Sequence, residues 1–231
     1  MQITWLGHSG FRIEIGEAVL LVDPWFSGNP VFDAAKRAEV IKGATHILIS
    51  HGHSDHAADA VALSQELNIP IATIHELAVL MQAQGAPAII GFNKGGTIDC
   101  KGVKVTMVNA THSASYKFGE ESVVAGSAAG FMIAGEGHVI YFSGDTDIMA
   151  DMEWMAEYHK PDIGILSCGG HYTMDMDRAA WAVRKYFNFQ WVIPCHYKTF
   201  GALEQDVSVL RQGLPTGVNL LAPEVMGSVS I

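Results

Sequence analysis

Ser50-His51-Gly52-His53-Ser54-Asp55-His56 puts three imidazoles and a carboxylate into one short stretch, directly after the apolar run His46-Ile47-Leu48-Ile49. Imidazole nitrogen and carboxylate oxygen suit zinc and neighbouring divalent metals, and a turn lets side chains at successive odd positions converge on one point. A regular helix would splay His51 and His53 apart, so Gly52 is expected to hold a turn that joins them. A polar surface loop accounts for one histidine there. It does not account for His-x-His-x-Asp-His at the end of a buried strand, which reads as a metal site.

Other candidates also stand at strand ends. An alternating run over 103–108 precedes His112, the strand predicted at 139–142 leads into Ser143-Gly144-Asp145, and that at 191–194 ends at His196. At the start, strands predicted at 2–5, 11–15 and 19–22 form an antiparallel meander with Gly16-Glu17 as a tight turn, delivering His8 and Asp23. Pro24 has no N–H and stops that ladder. A short helix is expected around 34–40, and Trp25 and Phe26 either wall a pocket or cap the sheet end. Helices are predicted at 59–67 (closed by Asn68), 76–84, 148–158, 178–186 (capped by Asp175) and 203–211, with strands at 71–74, 88–91, 128–133 and 162–166. Short strands are expected over 218–231. This alternation signals an α/β architecture. Residues 113–126 are small and polar without a clear period and read as a loop near the site. His171 follows two glycines at another strand end and is a candidate general acid. Lys198 either holds a phosphate or carboxylate or is simply solvated. His75 reads as a helix-start or surface group, and His46, His138 and His159 as surface or core histidines.

The order His51, His53, Asp55, His56, then His112, Asp145 and His196, resembles the metallo-β-lactamase superfamily over nearly the whole chain. Trp5-Leu6-Gly7-His8-Ser9 and Asp23-Pro24-Trp25 are similar to its small stand-alone bacterial metal-dependent hydrolases, near the ascorbate-6-phosphate lactonases and, more distantly, phospholipase D enzymes acting on N-acylethanolamine lipids. The resemblance implies a four-layer αββα sandwich, two mixed sheets flanked by helices, forming a single metallo-hydrolase domain over 1–231. It implies one metal on His51, His53 and His112, a second on Asp55, His56 and His196, and Asp145 bridging them. Zinc is the first expectation, with manganese, nickel or iron as alternatives. Two such ions roughly 3.5 to 4 Å apart can share a hydroxide, because metal binding lowers the pKa of water toward about 7. That hydroxide would attack a carbonyl or phosphoryl centre of a small, anionic substrate of the lactone or phosphodiester class, with Asp55 orienting it and taking its proton. His8 and Asp23 match the branch motifs, and either orient ligand imidazoles or make plain structural hydrogen bonds.

Other users of the scaffold are weighed on the same residues. Flavodiiron oxidases carry a glutamate where this chain has His53 and need a flavin domain. Many secreted β-lactamases have cysteine where this chain has Asp145. A persulfide dioxygenase-like protein with a single iron keeps a similar histidine pattern and stands as the alternative, together with a non-catalytic metal-binding protein. The last needs only four ligands and no open position.

A chain of 231 residues, 49% hydrophobic, can bury a core of its own, and a net charge of −10 argues against a nucleic-acid surface. No apolar run is long enough to cross a bilayer and no signal peptide is read, so no membrane partner and a cytoplasmic location are expected. Cys100, Cys168 and Cys195 form no Cys-x-x-Cys pair and are read as unpaired, Cys195 as a small buried residue. The expected partner is a small-molecule substrate, and a homo-oligomer is left open. If Asp145 bridges two metals, Asp145→Ala must empty both sites together; full metal content in that variant, measured by elemental analysis, would contradict the assignment.

Overall fold

Runs of β-branched and aromatic residues separated by glycine-containing turns dictate a chain dominated by strands, and the computed structural model, which describes residues 1–231, has sixteen of them. The first half runs β1 (Gln2–Gly7), β2 (Gly10–Ile15), β3 (Ala18–Val22), α1 (Arg37–Ile41), β4 (His46–Leu48), α2 (Ser54–Ala57), α3 (Ala60–Leu67), β5 (Ile71–Ile74), α4 (His75–Ala83) and β6 (Ile89–Phe92). The second half runs β7 (Thr97–Cys100), β8 (Val103–Asn109), β9 (Ser115–Phe118), β10 (Glu121–Val124), β11 (Ala129–Gly135), β12 (His138–Phe142), α5 (Asp151–His159), β13 (Ile163–Ser167), α6 (Met176–Tyr186), β14 (Trp191–Cys195), α7 (Ser208–Gly213), β15 (Asn219–Leu220) and β16 (Ser228–Ser230).

Two seven-stranded mixed sheets result, in the orders β16-β1-β2-β3-β4-β5-β6 and β15-β14-β13-β12-β11-β8-β7. Each combines antiparallel neighbours, as in β1-β2-β3 and β12-β11-β8, with a parallel set, β3 to β6 in one and β12 to β15 in the other. Parallel strands deliver their C-terminal ends to one side. Asp23, the histidine stretch, Asp145 and His196 therefore all emerge at one edge of the paired sheets. The last strand closes the first sheet by pairing with β1, Gln2 opposite Ser230.

One buried cluster of 59 residues draws on both sheets. Aromatic rings cross between them: Phe11 on β2 meets Phe142 on β12 at 6.1 Å, Phe142 meets Phe131 on β11 at 6.3 Å, and Phe131 meets Phe92 on β6 at 6.2 Å. Helices flank the sheets. The amphipathic α6 buries Met176, Ala179, Ala180, Ala182 and Val183, and Asp175 caps it by accepting from the Arg178 N–H. Asn68 ends α3 in the left-handed conformation, which its short polar side chain tolerates. No helix is long and apolar enough to cross a membrane.

The structure corrects three boundaries. The stretch read as a loop over 113–126 contains the hairpin β9-β10, whose strands pair only with each other and so carry no two-sided apolar pattern. The helix expected from 148 starts at Asp151, because Asp147 accepts the Ile148 N–H locally and receives Arg178 at 3.0 Å, holding the segment after Asp145 as a loop. The last helix is confined to Ser208–Gly213.

Phe131 is fully buried, so Phe131→Ala should lower stability by about 3–5 kcal/mol. Urea unfolding with an unchanged slope is the measurement; a loss under about 1 kcal/mol would mean that the inter-sheet rings are not what holds the layers together.

Candidate metal centre

Loops from the two sheets are tied together by main-chain hydrogen bonds before any side chain is considered. The His8 carbonyl accepts from the His196 N–H and from the Trp5 indole N–H, each at 2.9 Å, and the Ser50 carbonyl accepts from the Ala129 N–H at 3.1 Å. Close approach of neighbouring backbone also leaves no room for a side chain at Gly169 and Gly52. A Cβ on Gly169 would stand 1.7 Å from the His196 carbonyl oxygen, and one on Gly52 would stand 2.7 Å from that of Ser115. Gly52 thus serves a different purpose from the expected turn: it lies outside the left-handed region and makes space for β9 against the histidine stretch. His8, Asp23 and His196 do have positive φ, at 53°, 43° and 60°, a region that costs a non-glycine residue energy and that the surrounding bonds must enforce.

The side chains delivered this way form two clusters. His51 Nε2 and His53 Nδ1 stand 2.9 Å apart, and His112 completes a group whose ligand atoms all lie within 4.8 Å of one another. Asp55, His56 and His196 form a second such group, with His8 beside them. Asp145 Oδ2 lies between the clusters: 3.1 Å from His196 Nε2, 3.3 Å from His56 Nε2, 3.7 Å from His112 Nε2 and 4.0 Å from His51 Nε2. All seven residues named from the sequence as ligands are therefore brought together. Buried His56 Nε2, both ring nitrogens of His196 and Asp145 Oδ1 have no hydrogen-bond partner. Orphaned polar atoms inside a protein cost stability, and His56 Nε2 and His196 Nε2 beside the Asp145 carboxylate fit a divalent cation held among them.

A second layer sets the histidine tautomers. Asp23, fully buried, accepts from the Ser50 N–H (2.7 Å), the Ser50 hydroxyl (2.5 Å) and His56 Nδ1–H (2.8 Å). The Ser50 hydroxyl, its proton committed to Asp23, accepts from His51 Nδ1–H at 3.0 Å. Both imidazoles consequently have Nδ1–H committed to this layer and Nε2 aimed at the centre. His8 Nε2–H donates to Asp55 Oδ2 at 2.9 Å and its Nδ1 faces the Thr199 hydroxyl at 2.9 Å, so His8 orients a carboxylate where the sequence suggested an imidazole.

Electrostatics follow from burial and crowding. Burial pushes His51, His53 and His112 below the ordinary imidazole range and His8 down to about 4, which favours the neutral rings that metals bind. Burial works against ionising Asp145 and Asp55, yet His196 and His56 around the first, and His56 and His8 around the second, hold both below the carboxylate range. Burial would likewise lower His56, but Asp145, Asp55 and Asp23 raise it well above normal. A proton there balances carboxylates that a cation would otherwise balance.

His53, Asp55, His112, Asp145 and His196 open onto a cavity of about 490 Å³, with Trp25, Tyr172 and Phe200 as its apolar wall. Trp25 is a wall residue, whereas Phe26 stacks on Phe32 at 4.4 Å in the core. The structure does not bring His171 to this cavity. It is exposed, its ring 4.5 Å from that of Tyr172, and Tyr172 occupies the wall. Lys198 is also outside the lining, with its ammonium 3.6 Å from Glu224. Ser50, Thr199, Tyr172 and Phe200 were not singled out from the sequence. Only Ser50, adjacent to His51, carried a local signal. Asp23→Asn should weaken metal affinity about 10–100-fold in chelator competition, since the neutral amide no longer fixes both rings; wild-type affinity would reduce Asp23 to a packing role.

A family model described as the beta-lactamase superfamily domain matches residues 2–196. A UPF0173 metal-dependent hydrolase of Cereibacter sphaeroides is 63% identical, and one of Paracoccus denitrificans 61% identical, each over 231 residues covering 100% of both chains. Among solved structures, Igni18, a metallo hydrolase from the hyperthermophilic archaeon Ignicoccus hospitalis, superposes with a TM-score of 0.86 at 28% identity, covering 99% of this chain and 97% of that one. Matched end to end with such relatives and built on the same two-sheet frame, the chain belongs to the UPF0173 metal-dependent hydrolases of the metallo-β-lactamase superfamily.

Proposed function

We propose that residues 1–231 act as one binuclear hydrolase domain that adds water to a carbonyl or phosphoryl centre of a small molecule. The observation that supports it most is the single Asp145 oxygen within 4.0 Å of nitrogens from both histidine clusters, an arrangement that a one-metal site does not need. His51, His53 and His112 would hold one ion, Asp55, His56 and His196 the other, and Asp145 both; zinc suits the set, with manganese, nickel or iron as substitutes. When bound, two such ions would supply an activated water at neutral pH and Lewis acidity toward the substrate oxygen.

The protein's own residues divide the remaining work. Asp145, with 2% of its side chain exposed, lies at the floor of the cavity and holds its neighbours in place. Asp55, 28% exposed and on the cavity wall, is positioned to orient the attacking water and take its proton, with His8 fixing the carboxylate from behind. Lactones and phosphodiesters are the two classes to test first.

Elemental analysis of protein purified without added metal or chelator, then reloaded with zinc, manganese and iron, should find about two ions per chain, and the loaded protein should hydrolyse a member of one class. Asp55→Ala should cut kcat by roughly 10²–10⁴ with metal retained in the histidine cluster. One tightly held iron would bring forward the persulfide dioxygenase-like reading, and no metal under any loading would sink both.

A further inference from the structure

The cavity wall that holds no ligand is aromatic, and its chemistry restricts the substrate beyond the bond that breaks. Trp25 and Phe200 lie with ring centroids 6.0 Å apart at 37°, and both meet the His8 ring edge-on, at 5.3 and 5.6 Å. The indole N–H of Trp25 is consumed by the Ser27 carbonyl at 2.8 Å, so this ring offers the cavity no hydrogen-bond donor. Tyr172, which lines the same cavity, is 59% exposed and Phe200 is 40% exposed, while Trp25 behind them keeps 9% of its surface open. Large apolar rings left open to water at the mouth of a cavity are unfavourable unless something covers them. The polar groups outside the ligand set are the hydroxyls of Ser54, Ser113 and Tyr172, none of them charged.

Charge points the same way. Neither lysine nor arginine lines the cavity, and Lys198, which follows His196 by two residues, faces Glu224 at 3.6 Å. An anion carried away from the reacting centre, such as the phosphate of a sugar phosphate, would lose water against aromatic rings without a cation to meet it.

We infer that the group attached to the scissile bond is uncharged and aromatic, so that the substrate is a neutral aryl-bearing ester or lactone and not a phosphorylated or otherwise anionic one; this rests on the hydrolase reading above. In the reaction the oxygen of water bonds to the carbonyl carbon and the carbon–oxygen bond to the leaving group breaks. One proton of water stays on the new acid and the other goes to the leaving alkoxide. The ring stays against Trp25 and Phe200 throughout, held by face and edge contacts that tolerate several ring types.

Calorimetric titration of the zinc-loaded protein with acetohydroxamate, benzohydroxamate and 4-carboxybenzohydroxamate separates the two levels of the claim, because all three share one metal-binding head. Benzohydroxamate should bind about tenfold more tightly than acetohydroxamate, and the added carboxylate should weaken it again. Phe200→Ala, at a half-open position where truncation spares the core, should erase most of the aryl preference with metal content retained, and Phe200→Lys should shift preference toward the carboxylated probe. Equal binding of the aceto and benzo compounds, or tightest binding of the carboxylated one by the wild type, overturns the aromatic-substrate inference alone. No binding of any of the three overturns the metal-centre reading, and this inference with it.

Discussion

A carboxylate with 2% of its side chain exposed cannot keep its charge inside a protein without partners, and Asp145 is such a group. Everything at the edge of the two sheets is arranged around that requirement. Four histidine nitrogens from three separate segments come within 4.0 Å of one of its oxygens, while the other oxygen has no partner in the protein. The carboxylates around His56 raise it well above the ordinary imidazole range, while burial holds His51 and His112 below it. A site that concentrates acceptors and bare nitrogens in this way is stable only with positive charge inside it. That connects the fold to a metal-dependent chemistry.

Holding so many polar groups together needs backbone that ordinary strands cannot supply. His8, Asp23 and His196 sit in left-handed conformations at strand ends, and each is fixed by bonds that leave little alternative: the His8 carbonyl to the His196 N–H, the Asp23 carboxylate to Ser50 and His56. The lack of any side chain on Gly169 lets the carbonyl of His196 approach from the neighbouring strand of the same sheet. Strain at these positions is offset by the 59-residue core and by the rings that cross between layers, so the stable part of the molecule lies behind the reactive part. The cavity divides in the same sense. One side is crowded with histidine and carboxylate side chains and the other is aromatic and uncharged.

How much of this was legible in the chain depends on how local each feature is. His51, His53, Asp55 and His56 lie within six residues, so their spacing alone marks a metal site. His112, Asp145 and His196 each end an apolar or alternating run, which signals a strand edge without saying which edges meet. The meander, the αββα layering and most helix positions follow from periodicity and turn residues, together with the resemblance. The hairpin β9-β10 was missed because its strands pair only with each other, and so lack the apolar face that marks a strand of a packed sheet.

The sequence by itself determined the residue types of the candidate metal centre and the elements that end in them, because donor chemistry and strand propensity are properties of short stretches. Tertiary structure decided which atoms converge: that Asp145 lies between the clusters, that Asp23 and Ser50 set two tautomers at once, and that His8 supports a carboxylate and not a ring. It also placed Tyr172 and Phe200, and not His171 and Lys198, on the cavity wall. Those outcomes depend on distances between residues far apart in the chain, set by how two sheets pack and by side-chain direction in irregular loops, and no local pattern encodes either.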